Sequence, residues 1–328
     1  MIDSSSQRVG VIGVGTMGQH HARVYSGLPG AELVGVADTN EQRAREVATS
    51  YAADVYDVDE LLERVDAVSI AVPTEYHYGL ATRCIEAGVD LLIEKPLVRD
   101  PERGRRLVRE AERAGVTLQV GHIERHNPAV RTLQDIVLDL DVIAIEAARL
   151  GPRPDRNRQI TDSAVIDLMI HDIDIVLSLL GEDVTSVNAV GAADGRHATA
   201  TLEFESGTVG TLTASRVTEQ KQRTLSITAG DCYVTADYID QAVQIHRQSV
   251  PEFVAENGNV RYRHESVVEN PAVDTGEPLK NELSSFLDAS ENGTDPAVTG
   301  QDGLRALELA REINCAAFGD EQVQVLGR

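Results

Sequence analysis

The chain has 328 residues, enough to bury the cores of two domains, and its 53 acidic against 30 basic residues give a net charge of −23. So acidic a surface argues against nucleic acids and anionic membranes as partners. Only three of the basic residues are lysines, a pattern typical of proteins from a high-salt cytoplasm. The alternative is an ordinary acidic protein encoded by a GC-rich genome.

The cysteines Cys84, Cys232 and Cys315 are far apart and form no CxxC pair, which predicts neither a disulfide framework nor a zinc site. The N-terminus lacks a basic segment followed by an apolar one, and no apolar run reaches the length of a membrane span. We therefore expect a cytoplasmic protein without a membrane partner and without a metal.

The first predicted elements surround the glycine-rich turn Gly13-Val-Gly15-Thr16-Met17-Gly18, which follows an apolar strand and precedes a helix. Gly13 permits the turn, Gly15 lets main chain approach a pyrophosphate, and Gly18 lets the helix pack on the strand. A pyrophosphate there meets the N–H groups and the positive end of the helix. The turn therefore predicts a dinucleotide site, the alternative being a glycine turn with no cofactor.

A second predicted strand ends at Asp38, 20 residues after Gly18. A carboxylate at this position accepts hydrogen bonds from the adenosine ribose hydroxyls and repels the 2′-phosphate of NADP. Asp38 therefore predicts NAD as the cofactor, although Arg43 could partly rescue NADP.

Up to residue 121 short apolar strands alternate with helices, which predicts a doubly wound parallel sheet of the Rossmann type. Such sheets bind ligands at the carboxyl ends of their strands, where the loops 13–18, 73–77 and 94–96 lie. The predicted strands are 8–13, 33–37, 67–72, 90–93 and 117–120, and the helices begin near residues 16, 41, 59, 78 and 101.

After residue 121 the pattern changes to a C-terminal α+β domain with a large, mostly antiparallel, open sheet. An uncovered sheet face is a natural oligomer surface, so we expect a homodimer or homotetramer. The predicted helices are 129–138, 162–180, 279–292 and 301–318, and the strands are 142–150, 184–190, 198–204, 207–216, 223–228, 232–238 and 242–247.

Lys95 is notable because the composition has nearly eliminated lysine, yet one follows a predicted strand in the sequence Glu94-Lys95-Pro96. An ammonium is a compact point charge with movable donors, which arginine cannot replace. Lys95 is therefore a candidate catalytic group at the ligand end of the sheet. The alternative is an ordinary surface lysine.

The predicted helix near 163–180 is apolar nearly all round, which indicates burial, but a polar stripe crosses it. Buried carboxylates need partners, so the stripe must face a polar cavity or interface. Asp167 lies one turn before His171 and can orient its imidazole; a structural pair at a subunit interface is the alternative. The stripe, at steps of four, three and four, consists of Asp167, His171, Asp174 and Ser178.

Other histidines and acids have simpler interpretations. Asp172 lies off the stripe and is interpreted as a helix-face or interface acid. His20 and His21 follow the glycine turn and are interpreted as packing or surface residues.

Polar donors and acceptors gather in the segment Gly121-His-Ile-Glu-Arg-His-Asn-Pro128, at the predicted domain junction, where we expect a cleft. The candidate substrate-binding residues in this segment are Glu124, Arg125 and Asn127.

A proline-containing loop before the buried helix carries Arg153, Arg156 and Arg158. Guanidinium groups bind phosphate oxygens in a bidentate manner, so these arginines are further candidates for substrate binding. A solvated loop with Asp155 as internal counter-charge is the alternative.

Together these features resemble the Gfo/Idh/MocA family of NAD(P)-dependent sugar and cyclitol oxidoreductases along the whole chain. The resemblance rests on the glycine turn, on Val72-Pro73-Thr74 with His77, on Glu94-Lys95-Pro96, and on Asp167 four residues before His171. It implies that residues 1–121 form an NAD-binding domain and residues 122–328 a substrate-binding and oligomerisation domain.

The resemblance also implies residue roles. Lys95 and His171 would line the active site beside the nicotinamide, with Asp167 in support. The implied cofactor-binding residues are Gly13, Gly15, Thr16, Met17, Gly18, Asp38, Val72, Pro73, Thr74, His77, Glu94, Lys95 and Pro96.

Two segments look closer still to the branch that oxidises C3 of UDP-N-acetylglucosamine or its uronate: Gly-His-Ile-Glu-Arg-x-Asn-Pro-Ala-Val from Gly121, and His-Asp-Ile-Asp from His171. His126 departs from the aromatic residue expected in that branch. The branch implies that His171 takes the hydroxyl proton, that Lys95 hydrogen-bonds the substrate oxygen, and that the arginine loop binds the UDP pyrophosphate. The alternatives are an inositol or free-sugar dehydrogenase of the same family and a non-catalytic dinucleotide-sensing protein.

Overall fold

The computed structural model describes residues 6–153, 162–248, 252–256, 259–263 and 266–319. The chain divides into two compact units, one made of residues 1–126 and 276–308 and the other of residues 127–275 and 309–328. No helix of the described residues is both long enough and apolar enough to cross a membrane.

The helices agree closely with the predicted positions, and short 3₁₀ turns occur at Thr74–Tyr76 and Ile123–His126. A π-helical turn, Val165–Met169, begins the predicted helix 162–180. In chain order the α-helices are α1 (Thr16–Gly27), α2 (Glu41–Tyr51), α3 (Val58–Leu62), α4 (His77–Ala87), α5 (Pro101–Ala114), α6 (Pro128–Val137), α7 (Ile170–Leu180), α8 (Pro278–Asn292) and α9 (Gly300–Phe318).

The strands of the first unit are β1 (Gln7–Ile12), β2 (Ala31–Ala37), β3 (Asp54–Val55), β4 (Ala67–Ile70), β5 (Asp90–Glu94) and β6 (Leu118–Gly121). They form one parallel sheet in the order β3-β2-β1-β4-β5-β6. The order reverses between β1 and β4, which is the point where doubly wound sheets bind ligands. This sheet confirms the predicted Rossmann fold; the two-residue β3 was too short to predict.

Both faces of this sheet are covered by apolar residues. Along β5, Leu91 and Ile93 belong to one buried cluster and Leu92 to another, because successive side chains of a strand point to opposite faces. Local sequence signals set the helices between the strands: Asp100 caps α5 by accepting from the Glu102 N–H, and Gly115 ends it with a φ of 67°.

The first unit differs from the predicted boundary after residue 121, because the chain returns to it at residues 276–308. Helix α8 buries Leu283 and Phe286 in the same cluster as Val9 and Val11 of β1. The spacing of its apolar residues predicts an amphipathic helix but not the sheet on which that helix packs.

The strands of the second unit are β7 (Val142–Leu150), β8 (Val184–Ala192), β9 (His197–Phe204), β10 (Val209–Ser215), β11 (Gln222–Ala229), β12 (Cys232–Asp237), β13 (Ala242–Gln248), β14 (Glu252–Glu256), β15 (Asn259–Arg263) and β16 (Ser266–Glu269). Eight of them form a sheet in the order β16-β13-β12-β11-β7-β10-β9-β8, and β14 pairs with β15. Among the described pairs β7–β10 is parallel and the others are antiparallel, which confirms the predicted sheet.

Helices α6 and α7 pack on this larger sheet. On β7 the side chains of Ile145, Ala147 and Arg149 are buried, whereas Glu146 between them is exposed. A depression of about 610 Å³ lies over the face that includes Glu146, Thr213 and Thr224. The larger sheet therefore has one face buried under helices and one lined by small polar side chains.

Candidate active site

The glycine turn after β1 has the geometry expected of a dinucleotide site. Gly13 has a φ of 86°, and a Cβ there would lie 2.8 Å from the carbonyl oxygen of Ala71. A Cβ at Gly18 would overlap the carbonyl oxygen of Gly13, so the close approach of helix to turn needs a glycine. A Cβ at Gly15 would meet no atom within 4 Å, which leaves space for a ligand against the main chain.

The start of α1 offers main-chain donors at this turn. The first main-chain bond of the helix runs from the Gln19 N–H to the Gly15 carbonyl oxygen, at 3.0 Å, so the preceding N–H groups are not used by the helix. Gly15 brings no side-chain cap, the first turn holds no acid, and Thr16 and Met17 are exposed. These residues fit the pyrophosphate of a dinucleotide.

Asp38, at the end of β2, is held by four hydrogen bonds. Its Oδ2 accepts from the Val14 N–H at 2.8 Å and its Oδ1 from the Asn40 N–H at 2.8 Å. Nη2 of Arg43 lies 2.9 Å from Oδ1 and 3.1 Å from Oδ2. Burial opposes ionisation, but the hydrogen bonds from Arg43, Asn40 and Val14 outweigh it and hold the pKa of Asp38 below its ordinary value.

His77 connects the loops that follow β4 and β5. Its side chain is buried, its Nε2 lies 2.9 Å from the Val72 carbonyl oxygen, and its Nδ1 lies 3.0 Å from that of Pro96 and 3.3 Å from that of Leu97. Burial lowers the pKa of His77 below its ordinary value, against the effect of these carbonyls. Because both ring nitrogens face main chain, His77 supports the two loops rather than offering a nitrogen to a cofactor. Thr74 begins the 3₁₀ turn between Val72 and His77.

Lys95 follows the last residue of β5, at the ligand end of the parallel sheet, and is partly exposed. The preceding Glu94 accepts a hydrogen bond from the fully buried His21, with Oε1 and Nε2 3.0 Å apart. Burial opposes ionisation of Glu94, but the bond to His21 and the charge of Lys95 hold its pKa below the ordinary value. His21 is therefore a packing residue with an unforeseen carboxylate partner, and His20 is a surface residue.

In the second unit, the π-helical turn and α7 carry Asp167 and the half-buried His171. Arg216, directly after β10, donates to Oδ2 of Asp167 at 2.9 Å. The same guanidinium donates to the carbonyl oxygens of Asp162 and Ser163, at 2.8 and 2.9 Å. Arg216 thus fixes the first turn of the helix and the carboxylate on it. Arg216 was not among the predicted site residues, although a lone arginine at the end of a predicted strand was a signal.

Asp172 corrects the sequence interpretation. It is not a helix-face or interface acid of this unit, because it is 2% exposed and Arg149 of β7 binds both its oxygens, at 2.8 and 2.9 Å. Of the predicted stripe, Asp174 is buried and Ser178 accepts from the side-chain amide of Gln134 at 3.3 Å.

The candidate substrate-binding residues have different surroundings. Glu124 is buried, and the guanidinium of Arg125 lies 3.7 Å from Asp302. Asn127 caps α6 by accepting from the Ala129 N–H at 3.1 Å, and its amide donates to the Tyr238 carbonyl oxygen at 3.0 Å.

The arginine loop is described only at its start. Arg153 is exposed, while Arg156 and Arg158 lie outside the described residues. Within the described ranges no group of three His, Cys, Asp or Glu side chains could hold a metal ion.

A doubly wound parallel sheet with this glycine turn defines a dinucleotide-binding protein, and here a domain with a large antiparallel sheet follows it. Residues 7–122 match the family model described as "Oxidoreductase family, NAD-binding Rossmann fold", and residues 141–231 match the C-terminal domain of the same family. The chain belongs to the Gfo/Idh/MocA family. It is a dehydrogenase, and its cofactor is NAD.

Known relatives share most of the chain. UDP-N-acetylglucosamine 3-dehydrogenase from Acidithiobacillus ferrooxidans is 35% identical over 316 residues, covering 94% of this chain and 96% of the relative. A crystal structure of that enzyme has a TM-score of 0.84 and covers 95% of this chain and 98% of its own. Inositol 2-dehydrogenase from Rhizobium meliloti is 30% identical over 320 residues, covering 92% of this chain and 94% of the relative.

Proposed function

We propose that this dehydrogenase oxidises the C3 hydroxyl of UDP-N-acetylglucosamine to a ketone. The observation that carries the proposal is the 35% identity to UDP-N-acetylglucosamine 3-dehydrogenase over 94% of the chain. The segment from Gly121 to Pro128 and the sequence His-Asp-Ile-Asp from His171 support it, because they resemble that branch of the family.

Three side chains have separate roles in the proposed oxidation. His171 takes the proton of the sugar hydroxyl as general base, and Asp167, held by Arg216, supports the imidazole. Lys95 donates a hydrogen bond to the same oxygen and stabilises its negative charge. NAD⁺, when bound, supplies the hydride acceptor.

The cofactor-binding assignment is part of the same proposal. The main chain from Gly13 to Gly18 holds the pyrophosphate, Asp38 faces the adenosine ribose, and the loops of Val72-Pro73-Thr74 and Glu94-Lys95-Pro96 border the nicotinamide. We assign this work to the domain 1–121, with residues 276–308 completing its core.

Substrate binding is assigned to residues 122–328. We propose that Glu124, Arg125 and Asn127 contact the sugar. Asn127 does so while its side chain also caps α6. We propose that Arg153, Arg156 and Arg158 bind the pyrophosphate of UDP, a small-molecule anion that bidentate guanidinium groups recognise.

We also propose that the protein works in the cytoplasm as a homodimer or homotetramer joined through the larger sheet. The larger sheet supports the oligomer, because the side chains on its uncovered face, including Thr213 and Thr224, are small and polar. A second copy of the chain can approach such a face closely. Mass measurement in solution by light scattering tests it, and a monomer at working concentration would contradict it.

The second candidate is an inositol dehydrogenase, favoured by the 30% identity to inositol 2-dehydrogenase over 92% of the chain. A cyclitol has no pyrophosphate, so the arginine loop would then not affect substrate binding. The two candidates therefore make opposite predictions for the arginine variants.

The experiment measures NADH formation in molar KCl with UDP-N-acetylglucosamine, N-acetylglucosamine, UDP-glucose and myo-inositol. Binding energy from the nucleotide is available at the reacting centre, so we expect removal of UDP to lower kcat as well as raise KM. The highest kcat/KM with myo-inositol or a free sugar would overturn the nucleotide-sugar proposal.

Variants of the loop sharpen the result. Arg153→Ala or Arg156→Ala should raise KM for the nucleotide sugar by about 10-fold or more, the cost of one charged hydrogen bond, without changing KM for a free sugar. The matched control is Arg131→Ala, a surface arginine on α6. Equal KM values in loop and control variants would remove the pyrophosphate role.

A further inference from the structure

The residues before and after Lys95 in the sequence each contact a buried histidine. Before it, the carboxylate of Glu94 is 3.0 Å from Nε2 of His21. After it, the carbonyl oxygens of Pro96 and Leu97 are 3.0 and 3.3 Å from Nδ1 of His77. The two histidines come from different helices, α1 and α4, and both lie in the first unit.

The contact of His21 crosses 73 residues of sequence and occurs where polar groups are costly to leave unpaired. His21 is 0% exposed, and the side chain of Glu94 is 14% exposed. Because an ionised carboxylate only accepts hydrogen bonds, the Nε2 proton of His21 lies in this contact. Glu94 therefore has a fixed side chain at the end of β5, one residue before Lys95.

The main chain of β6 lies close to Glu94. Gly121, its partner in β6, would bring a Cβ to 3.2 Å from the Glu94 Cα and 3.4 Å from its Cδ. On the other side of Lys95, His77 is 1% exposed, and its Nε2 lies 2.9 Å from the Val72 carbonyl oxygen. The main chain on both sides of the lysine is thus tied to the body of the sheet.

We propose that His21 and His77 are positioning residues for Lys95: they act on the reaction by holding Glu94 and the Pro96–Leu97 main chain, and thereby the lysine amine, in the productive geometry. The inference rests on the proposed catalytic role of Lys95. It adds His21, which no motif assigned to the site, and it gives His77 a role through the main chain rather than through the cofactor.

The first test compares kcat with NADH binding. We expect His21→Phe, which keeps a buried ring but loses the Nε2 donor, to lower kcat by about 10- to 100-fold, since small misplacements of a reacting group have such effects. NADH affinity measured by fluorescence should stay within about twofold, because the glycine turn and Asp38, which we assign to the pyrophosphate and the adenosine ribose, are unaltered. His21→Gln restores a donor at the same place and should recover most of kcat.

A matched control comes from the next residue of the same helix. His20 is exposed, so His20→Gln should leave kcat and NADH affinity unchanged. His77→Phe tests the second histidine in the same way, and thermal unfolding of every variant shows whether it is folded at the assay temperature.

The second test measures the chemical reactivity of Lys95 directly, in the absence of cofactor and substrate. The chain has three lysines, so the acylation rate of Lys95 can be followed by mass spectrometry with the exposed Lys221 and Lys280 as internal standards. In His21→Phe and His77→Phe we expect the rate of Lys95 relative to Lys280 to change by about threefold or more, because loosening a held segment alters its local exposure. His21→Gln and His20→Gln should leave the ratio as in the wild type.

The outcomes separate the two proposals. An unchanged Lys95 ratio in folded His21→Phe and His77→Phe would overturn the positioning role, whatever happens to kcat. A parallel loss of kcat and NADH affinity would also overturn it, because the histidines would then support the cofactor site as a whole. If Lys95→Met keeps its turnover, the proposed function fails, and the acylation ratios still report whether the histidines hold the lysine.

Discussion

Arg43 covers the carboxylate that the adenosine ribose is expected to reach. Its Nη2 lies 2.9 and 3.1 Å from the two oxygens of Asp38, which also accept the N–H groups of Val14 and Asn40. A carboxylate has about four acceptor sites, so all are used. We therefore expect a ribose hydroxyl to bond Asp38 only if Arg43 moves, and we expect the displaced Arg43 to meet a 2′-phosphate.

We therefore expect Arg43→Ala to make the enzyme more selective for NAD. The KM for NAD should fall modestly, and kcat/KM for NADP should fall by about 10- to 100-fold, the value of one charged hydrogen bond. Arg45→Ala is the control, because Arg45 pairs with exposed Glu41 on the same helix. Unchanged NADP kinetics in Arg43→Ala would show that Arg43 does not reach the phosphate.

The depressed pKa of Asp38 predicts a pH dependence of stability. A carboxyl with a lowered folded pKa binds more protons when unfolded, so it stabilises the fold above its unfolded pKa of about 3.9 and loses this effect as the pH falls through the folded value. The unfolding free energies of wild type and Asp38→Asn should therefore differ most near neutral pH and converge in acid. Urea titrations between acid and neutral pH measure these free energies, with Asp139→Asn, at an exposed position, as the control. A difference between wild type and Asp38→Asn that does not vary with pH would show that the ionisation of Asp38 does not stabilise the fold.

Lys95→Met should abolish turnover while sparing NADH binding. Loss of one donor to a developing alkoxide typically costs about 10²–10³ in kcat. Steady-state assays and fluorescence titration measure the two effects, with Lys280→Met as the surface control. A variant that keeps more than half of the wild-type kcat would remove Lys95 from the mechanism.

Arg216→Lys should lower kcat by about 10- to 100-fold, because one ammonium cannot reproduce three contacts of a planar guanidinium, and the helix turn carrying Asp167 shifts. In the Asp167→Asn background the same change should cost much less, because the residues act as a unit. Additive losses in this double-mutant cycle would mean that Arg216 does not act through Asp167.

Asp172→Ala should destabilise the fold by about 3–5 kcal/mol, because it removes the carboxylate that binds the buried guanidinium of Arg149 at two nitrogen atoms. Glu41→Ala, which breaks an exposed pair with Arg45, should cost at most about 1 kcal/mol. Denaturant unfolding compares them. Near-equal midpoints would imply that water or another group replaces Asp172 in the variant.

The features that the sequence predicted are those governed by local rules. Gly13 and Gly18 follow from a turn whose geometry excludes a Cβ. The spacing of apolar residues predicts the strands of both sheets. The sequence did not predict which residues the buried polar side chains contact. Arg216 lies 49 residues from Asp167, and helical periodicity shows that Asp172 is off the stripe without showing that β7 brings Arg149 to it.

The return of residues 276–308 to the first unit has a consequence for how the protein is made. Leu283 and Phe286 complete the core on one face of the nucleotide-binding sheet, and Leu304 and Leu307 complete the other. A ribosome releases the glycine turn early, but the sheet around it stays unsealed until almost the whole chain has been synthesised. Neither unit is therefore complete until the last helix, α9, has been synthesised, and a truncated gene ending at residue 121 would yield an aggregating fragment rather than a small NAD-binding protein.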